Sequence, residues 1–200
     1  MIATQHVSGA ALAVAIGMMA DTPSLNLNAP ERQPLDEGTP APTDVQGGMT
    51  EDAKRQTFTR LVFGGDQARF GVFRQTIADA VPPGTRAIVR GSAVTGFRWK
   101  DQAPFDADGP GTSDVDLTLV GADVLAAFKL TGFFVPGVHS RPMGEDDPDI
   151  APALADLRER LTSLAGRPVN VQASHDLVVF LRGEVIGQPY LTLLGDPGEA

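Results

Sequence analysis

Residues 90–120 read RGSAVTGFRWKDQAPFDADGPGTSDVDLTLV. This stretch contains the residues of the chain that most clearly suit a functional site. Gly91 and Ser92 follow a short apolar run, and after a polar loop Asp114 and Asp116 open a second apolar run. Successive side chains of a β-strand point to opposite faces, so the two aspartates share one face and the apolar residues between them share the other. The alternation predicts a strand that aims two carboxylates at one point.

The chemistry of these residues suits a triphosphate and a metal ion. Glycine lets the backbone approach a ligand closely, and a serine hydroxyl with neighbouring N–H groups can donate hydrogen bonds to phosphate oxygens. Two carboxylates one strand period apart suit Mg²⁺ (or Mn²⁺), since Mg²⁺ binds through one or two carboxylates plus substrate phosphates. We therefore expect the Gly-Ser turn to hold a nucleoside triphosphate and Asp114 and Asp116 to hold the metal. Arg90, Arg98 and Lys100 are candidate cations for the triphosphate charge.

The flanking sequence predicts a mixture of helices and strands. Thr50, a candidate N-cap followed by two acids in the first turn, predicts a helix over 50–63. Apolar residues at spacings of three and four predict a second helix over 66–81, and a β-branched run predicts a strand at 86–90. Residues 176–181 fit either a strand or a helix. Further along the chain the pattern predicts, in order, a short helix at 122–130, an irregular stretch at 133–149, a helix at 150–164 and strands at 169–174 and 190–194. The fold class expected is α+β, with a small mixed β-sheet and helices packed on one face.

The first 49 residues differ from the rest in composition. Residues 9–20 are apolar but shorter than the roughly 20 residues that a bilayer span needs, and the residues before them lack the basic start of a secretory signal. Residues 21–50 are rich in Pro, Gly, Thr and acids, with few large apolar groups to offset the entropy of ordering them. We expect 1–49 to be an apolar segment and a disordered arm, and 50–200 to be one folded domain with no membrane association.

Charge and cysteine content exclude several classes of protein. The formal net charge of −9 argues against a protein that coats nucleic acid, because that affinity comes largely from Lys and Arg neutralising phosphates. The sequence has no cysteine, which excludes a disulfide framework, a thiolate metal site and a cysteine nucleophile. We expect a cytoplasmic location, with a secreted effector as the alternative.

The strings RGSAVTG, PFDADG and SDVDLTLV resemble the signature of the DNA polymerase beta-like nucleotidyltransferase superfamily, in which a strand and a Gly-Ser turn precede an Asp-x-Asp flanked by apolar residues. They are most similar to the small nucleotidyltransferase domains of bacterial polymorphic toxins and related standalone proteins. The likeness is strong over 87–120 and extends over 50–194 only through the order of elements. It implies a nucleotidyltransferase fold and a Mg²⁺-dependent transfer of a nucleoside monophosphate from a nucleoside triphosphate to a hydroxyl or other acceptor on a protein, an RNA or a small molecule. The loop at 96–112 is longer than in compact members, so it must fold away from the site or over it.

One departure from that family pattern concerns a third carboxylate, which usually stands on a later strand. The polar positions of 169–174 are Asn170, Gln172 and Ser174, so no acid stands there. Asp176 is the nearest acid and is our candidate for the third catalytic group. An asparagine is a poor proton acceptor, which leaves open a catalytically weak protein that binds a nucleotide or a partner, or a toxin–antitoxin component.

Other polar and aromatic residues have simpler explanations. We interpret Asp106 and Asp108 as solvated loop acids, although they stand close enough to the motif to extend a metal site. The acids at 145–149 lack the spacing of a calcium loop. We interpret Asp149 or Asp147 as an acid that complements the dipole of the helix beginning at about residue 150. Trp99 and Tyr190 are the only residues of their types. Stacking on a base is one role open to them, but we expect both to pack in the core or against a loop.

Overall fold

The structure is a computed structural model that describes residues 48–176 and 188–195. The expectations for the N-terminal segment and for most of residues 176–181 concern positions outside this range. The helices are α1 (Glu51–Phe63), α2 (Gln67–Ala80), α3 (Ser92–Thr95), α4 (Ala122–Leu125) and α5 (Ala155–Ala165). The strands are β1 (Arg86–Arg90), β2 (Val115–Val120), β3 (Phe133–Val135), β4 (His139–Ser140), β5 (Val169–Ser174) and β6 (Tyr190–Leu194).

These strands form a single mixed sheet in the order β3-β4-β5-β2-β1-β6. β1 is antiparallel to both of its neighbours, β2 and β6, whereas β2 and β5 run parallel. The α+β class expected from the sequence is therefore confirmed. The parallel pair also has a consequence for the site, because the starts of β2 and β5 must lie at the same edge as the end of β1.

The main hydrophobic core lies where one set of alternating strand residues meets α1, α2, α4 and α5. Four phenylalanines of α1 and α2 interlock within it, with ring centroids 5.4 to 6.2 Å apart. These are Phe58, Phe63, Phe70 and Phe73. Burying an aromatic side chain of this size stabilises the fold by about 1.5–3 kcal/mol. The predicted apolar stripe of α2 is confirmed, since Phe70, Phe73 and Ile77 are all buried.

The ends of the long helices follow capping signals. The Thr50 hydroxyl accepts a hydrogen bond from the Ala53 N–H at 3.1 Å and begins α1, which ends at Gly64 in the left-handed conformation (φ 64°). The Asp66 carboxylate accepts from two backbone N–H groups and begins α2. Gly166 ends α5 with φ 68°. None of the helices in the described parts of the chain is long and apolar enough to cross a membrane.

Two helices are shorter than the sequence predicts. The helix expected over 122–130 forms only the single turn of α4, followed by a separate 3-10 turn at Leu130–Gly132. The helix expected from Ile150 begins with a 3-10 turn at Pro152–Leu154 and becomes α-helical at Ala155. Proline lacks the N–H that a continuing α-helix needs, so it is accommodated in the first turn.

The stretch at 133–149, predicted to be irregular, contains β3 and β4 at the sheet edge. Met143 also forms an antiparallel bridge to Val171 on β5. Asp147 does not serve the helix dipole as expected, because its carboxylate accepts two hydrogen bonds from the Arg141 guanidinium at 2.5 and 3.2 Å. The bridge and the ion pair fix the loop that joins β4 to α5 against the start of β5.

Candidate active site

Three strand ends meet at one edge of the sheet. Arg90, the last residue of β1, lies opposite Asp116 on β2, and Asp116 lies beside Asn170 on β5. The turn that leaves β1 and the residue before β2, Asp114, therefore come to the same place. The sequence motif is assembled here by strand pairing.

Gly91 makes the turn possible. Its backbone has φ 78° and ψ −159°, a conformation that residues with a side chain rarely adopt. A Cβ at this position would lie 3.4 Å from Oδ2 of Asp116, so the backbone of the turn passes directly beside the carboxylate. The Gly91 carbonyl accepts from the N–H groups of Val94 and Thr95, which closes the single turn of α3 beginning at Ser92.

The two aspartates are held together by an amide. Nδ2 of Asn170 donates to Oδ2 of Asp114 at 2.5 Å and to Oδ1 of Asp116 at 3.3 Å. Burial raises the pKa of Asp116, and the neighbouring Asp114 charge raises it further, while Arg90 and the Asn170 hydrogen bond act in the opposite direction. The site thus contains paired carboxylates whose mutual repulsion a cation would relieve.

A cavity of about 560 Å³ lies against this edge of the sheet. Its size lies within the roughly 300–1,000 Å³ common for small-molecule sites. The nucleotide- and metal-binding positions expected from the sequence line it: Arg90, Gly91, Ser92, Lys100, Asp114 and Asp116.

The loop at 96–112 forms one wall of this cavity. The sequence left two positions open for this loop, away from the site or over it. The loop does not fold away: it lies beside the site, and its lining residues are Arg98, Trp99, Lys100, Asp108 and Thr112. A short hairpin is formed by the bridge between Phe97 and Pro104 and by a 2.8 Å hydrogen bond from the Arg98 N–H to the Ala103 carbonyl.

Asp106 anchors the loop, so its interpretation as a solvated acid is wrong. Its carboxylate accepts from Arg167 at 2.9 and 3.2 Å and from the N–H groups of Gly111 and Ser113. Burial alone would raise the pKa of Asp106, but the Arg167 hydrogen bonds and charge and the two backbone donors outweigh it and lower the pKa from 3.8 to about 2. The Arg167 guanidinium also lies 4.4 Å from the centre of the Phe105 ring.

Asp108, by contrast, is exposed, as expected for a loop acid, and lies 2.7 Å from Arg98. Tyr190 is 4% exposed, which confirms its expected place in the interior. The expectation of a packing role is wrong for Trp99, which is 57% exposed and lines the cavity.

The structure does not bring Asp176 to the carboxylate pair. Asn170 lies beside Asp116 at one end of β5, whereas Asp176 follows Ser174 at the other end, where β5 pairs with Val120. At about 3.3 Å per residue, the end of β5 at Ser174 already lies roughly 13 Å along the strand from Asn170, and Asp176 lies beyond it. Asn170 therefore occupies the position at which we looked for a third carboxylate.

A second loop, missed by the sequence reasoning, faces the pair from another side. Gly144 packs so tightly on Asn170 that a Cβ there would lie 2.6 Å from its Oδ1 atom. The following residues, Glu145 and Asp146, line the cavity. Acidic composition is the only signal of this loop in the sequence, because its position depends on the Met143 bridge to a strand about 30 residues later.

The donor set at the site fits a hard divalent cation. Among the residues that the structure describes, no group of three His, Cys, Asp or Glu side chains is placed to hold a metal ion. Asp114 and Asp116 nevertheless offer the two carboxylates through which Mg²⁺ commonly binds when substrate phosphates complete its coordination.

Comparisons of the chain with protein-family models, with curated proteins and with solved structures gave no match in any of the three.

Proposed function

We propose that this protein is a Mg²⁺-dependent nucleotidyltransferase with the DNA polymerase beta-like fold, which moves a nucleoside monophosphate from a nucleoside triphosphate to an acceptor hydroxyl or other nucleophile. The proposal is supported above all by the meeting of the Gly91–Ser92 turn with Asp114 and Asp116 at a single cavity. The residues that form the sequence motif are the ones that the pairing of β1 with β2 brings together.

Binding of the triphosphate follows from the residues around the turn. The Ser92 hydroxyl and backbone N–H groups of the turn would donate to phosphate oxygens, and Arg90 and Lys100 would offset the phosphate charge. A bound Mg²⁺ supplies charge neutralisation and alignment of the phosphates. Asp114 and Asp116 would hold that ion, and Asn170 would keep the two carboxylates in a fixed relative position.

Transfer is an in-line displacement at the α-phosphorus. The acceptor oxygen forms a bond to phosphorus, the bond to the bridging oxygen breaks, and pyrophosphate leaves with the electron pair. The acceptor proton must pass to a base, and the Asn170 amide is unsuited to that role. Glu145 and Asp146 line the same cavity and are carboxylates that could receive it.

The proposal is tested by following a label on the α-phosphate of each of the four common nucleoside triphosphates. The wild-type protein, incubated with Mg²⁺ and protein, RNA and small-molecule acceptors, should transfer label and release pyrophosphate. Asp114→Asn and Asp116→Asn should remain folded and lose the transfer. Asp123→Asn is the matched control, since Asp123 is an exposed acid in the first turn of α4, and it should behave as wild type. Equal transfer by wild type and both site variants would overturn the proposal.

Asn170 favours a second candidate, a nucleotide-binding protein with little catalytic turnover. Such a protein would bind a magnesium nucleotide at the same turn and carboxylates. Binding without label transfer to any acceptor class would support it, whereas rapid pyrophosphate release would exclude it.

A further inference from the structure

Trp99 lines the cavity that contains the carboxylate pair. The residue is 57% exposed. Large exposed apolar side chains occur elsewhere on the described surface, but none of the others lines this cavity. Trp99 is also the only aromatic residue among the described residues of the lining.

The backbone that carries Trp99 is held in place by hydrogen bonds. Phe97 and Pro104 form the bridge at the base of the hairpin, and the Phe105 N–H donates to the Gly96 carbonyl at 2.8 Å. Across the tip, the side-chain amide of Gln102 donates to the Trp99 carbonyl at 3.2 Å. An exposed tryptophan on a fixed hairpin offers a flat surface at small entropic cost on binding.

Charge determines how a nucleotide would lie in the cavity. The turn and the carboxylate pair define the phosphate end, and Arg90 and Lys100 add positive charge there and on the hairpin wall. Glu145 and Asp146 also line the cavity, and their charges repel phosphates. With the phosphates held at the turn and the carboxylate pair, Trp99 offers the uncharged nucleobase the one aromatic surface among the described lining residues.

Resting on the proposed function, we infer that Trp99 is the stacking surface for the nucleobase of the donor nucleoside triphosphate. Stacking tolerates any base, because every base has a π-face, and larger purine rings stack over more area. The donor should therefore be recognised by the area of its ring at Trp99, and by its phosphates and metal at the turn and the carboxylate pair. Removing the indole should weaken nucleotide binding roughly 5- to 150-fold, the range observed when a stacking aromatic is removed.

The inference can be tested directly because Trp99 is the only tryptophan in the 200-residue sequence. Its fluorescence is measured while the protein is titrated with Mg²⁺ and α,β-methylene ATP, or with Mg²⁺ and inorganic tripolyphosphate, and calorimetry measures both affinities. The nucleotide should quench the fluorescence, whereas tripolyphosphate, which has no ring, should bind without quenching it.

Calorimetry of the Trp99 variants tests the same inference. Trp99→Leu should weaken nucleotide binding roughly 5- to 150-fold and leave tripolyphosphate binding unchanged, and Trp99→Phe should restore most of the nucleotide affinity. The matched control is Phe97→Leu, because Phe97 is exposed on the same hairpin but does not line the cavity.

Distinct results separate this inference from the proposed function. Nucleotide affinity that is unchanged in Trp99→Leu but lost in Asp116→Asn would overturn the inference and leave the proposed function standing. Loss of both ligands in Trp99→Leu would mean that Trp99 acts only through the shape of the loop, and it would also overturn the inference. Failure of the wild-type protein to bind either ligand with Mg²⁺ would overturn the proposed function and the inference together.

Discussion

At the scale of single residues, Asn170 joins two like charges without adding a third. Each of its hydrogen bonds has a carboxylate acceptor, and such charge-assisted bonds contribute about 1.5–3 kcal/mol. They offset part of the repulsion between Asp114 and Asp116 but leave Asp116 with a raised pKa. The two carboxylates are thus placed to accept a cation. Their repulsion lowers the stability of the metal-free protein.

A stability measurement tests this arrangement. An acid whose pKa is higher in the folded state than in the unfolded state lowers the stability of the fold as the pH rises through its unfolded pKa of 3.8. Asp116→Asn removes the charge, so without metal at pH 7 we expect this variant to have a higher Tm than wild type. The Mg²⁺ complex of α,β-methylene ATP should raise the Tm of wild type and of Asp123→Asn but not that of Asp116→Asn. A Tm of metal-free Asp116→Asn below that of metal-free wild type would contradict this account of the carboxylate pair. So would an equal rise in Tm of the two proteins when the ligand binds.

At the scale of elements, two loops form walls of the cavity, and different contacts hold each loop in place. The loop at 96–112 depends on the ion pair between Asp106 and Arg167, whose side chain is 9% exposed. The loop after β4 depends on the Met143 bridge and on the Arg141–Asp147 pair. Neither wall belongs to a long helix or a central strand, so the shape of the site depends on a few polar contacts.

The first wall is tested by two substitutions of the same kind. Asp106→Asn leaves Arg167 largely buried without its counter-charge, and we expect a loss of about 2–3 kcal/mol of unfolding free energy. Asp108→Asn is the matched control, because its pair with Arg98 is exposed, and it should cost less than about 1 kcal/mol. Urea titration measures both. Equal losses would show that Asp106 is not the anchor.

The pH dependence of the unfolding free energy of Asp106→Asn and Asp108→Asn tests the same prediction in a second way. The folded-state pKa of Asp106, about 2, is lower than its unfolded value of 3.8, so its stabilising contribution is present above pH 3.8 and is lost as the pH falls toward 2. Between these values the stability of Asp108→Asn should fall more steeply than that of Asp106→Asn. Parallel curves for the two variants would be evidence against the lowered pKa.

The second wall is tested by Glu145→Gln. If Glu145 accepts the proton of the acceptor, the neutral amide should lower the rate of label transfer while leaving the affinity for α,β-methylene ATP unchanged. Asp149→Asn is the control, because Asp149 is an exposed acid just beyond the same loop that does not line the cavity. A transfer rate equal to wild type in Glu145→Gln would exclude Glu145 from this step, and the same measurement on Asp146→Asn would then test its neighbour.

At the scale of the whole molecule, features that depend on neighbouring residues were predictable from the sequence, whereas features that depend on contacts between distant residues were not. Thr50 and Asp66 begin helices as predicted because a capping side chain acts on backbone groups two or three residues away. The shared face of Asp114 and Asp116 was equally predictable, since strand alternation is local. The α+β class followed from the order of such elements.

Long-range contacts explain what the sequence did not reveal. The anchor of Asp106 lies 61 residues away at Arg167, and no periodic pattern links the two. The exposure of Trp99 depends on where its hairpin packs, and the composition of the loop carries no information on that. Asn170 is a similar case, because its polar position on a strand was visible but its contact with both aspartates depends on how β5 aligns with β2.

The central claim is that the Gly91–Ser92 turn and the two aspartates bind a magnesium nucleoside triphosphate. The most direct measurement is calorimetric titration of the 200-residue protein with α,β-methylene ATP, with and without Mg²⁺. We expect binding to wild type that requires Mg²⁺, and affinities about tenfold or more weaker in Asp114→Asn and Asp116→Asn, since each removes one of the two metal-binding carboxylates. Equal affinity in wild type and both variants, or binding that is indifferent to Mg²⁺, would contradict the claim.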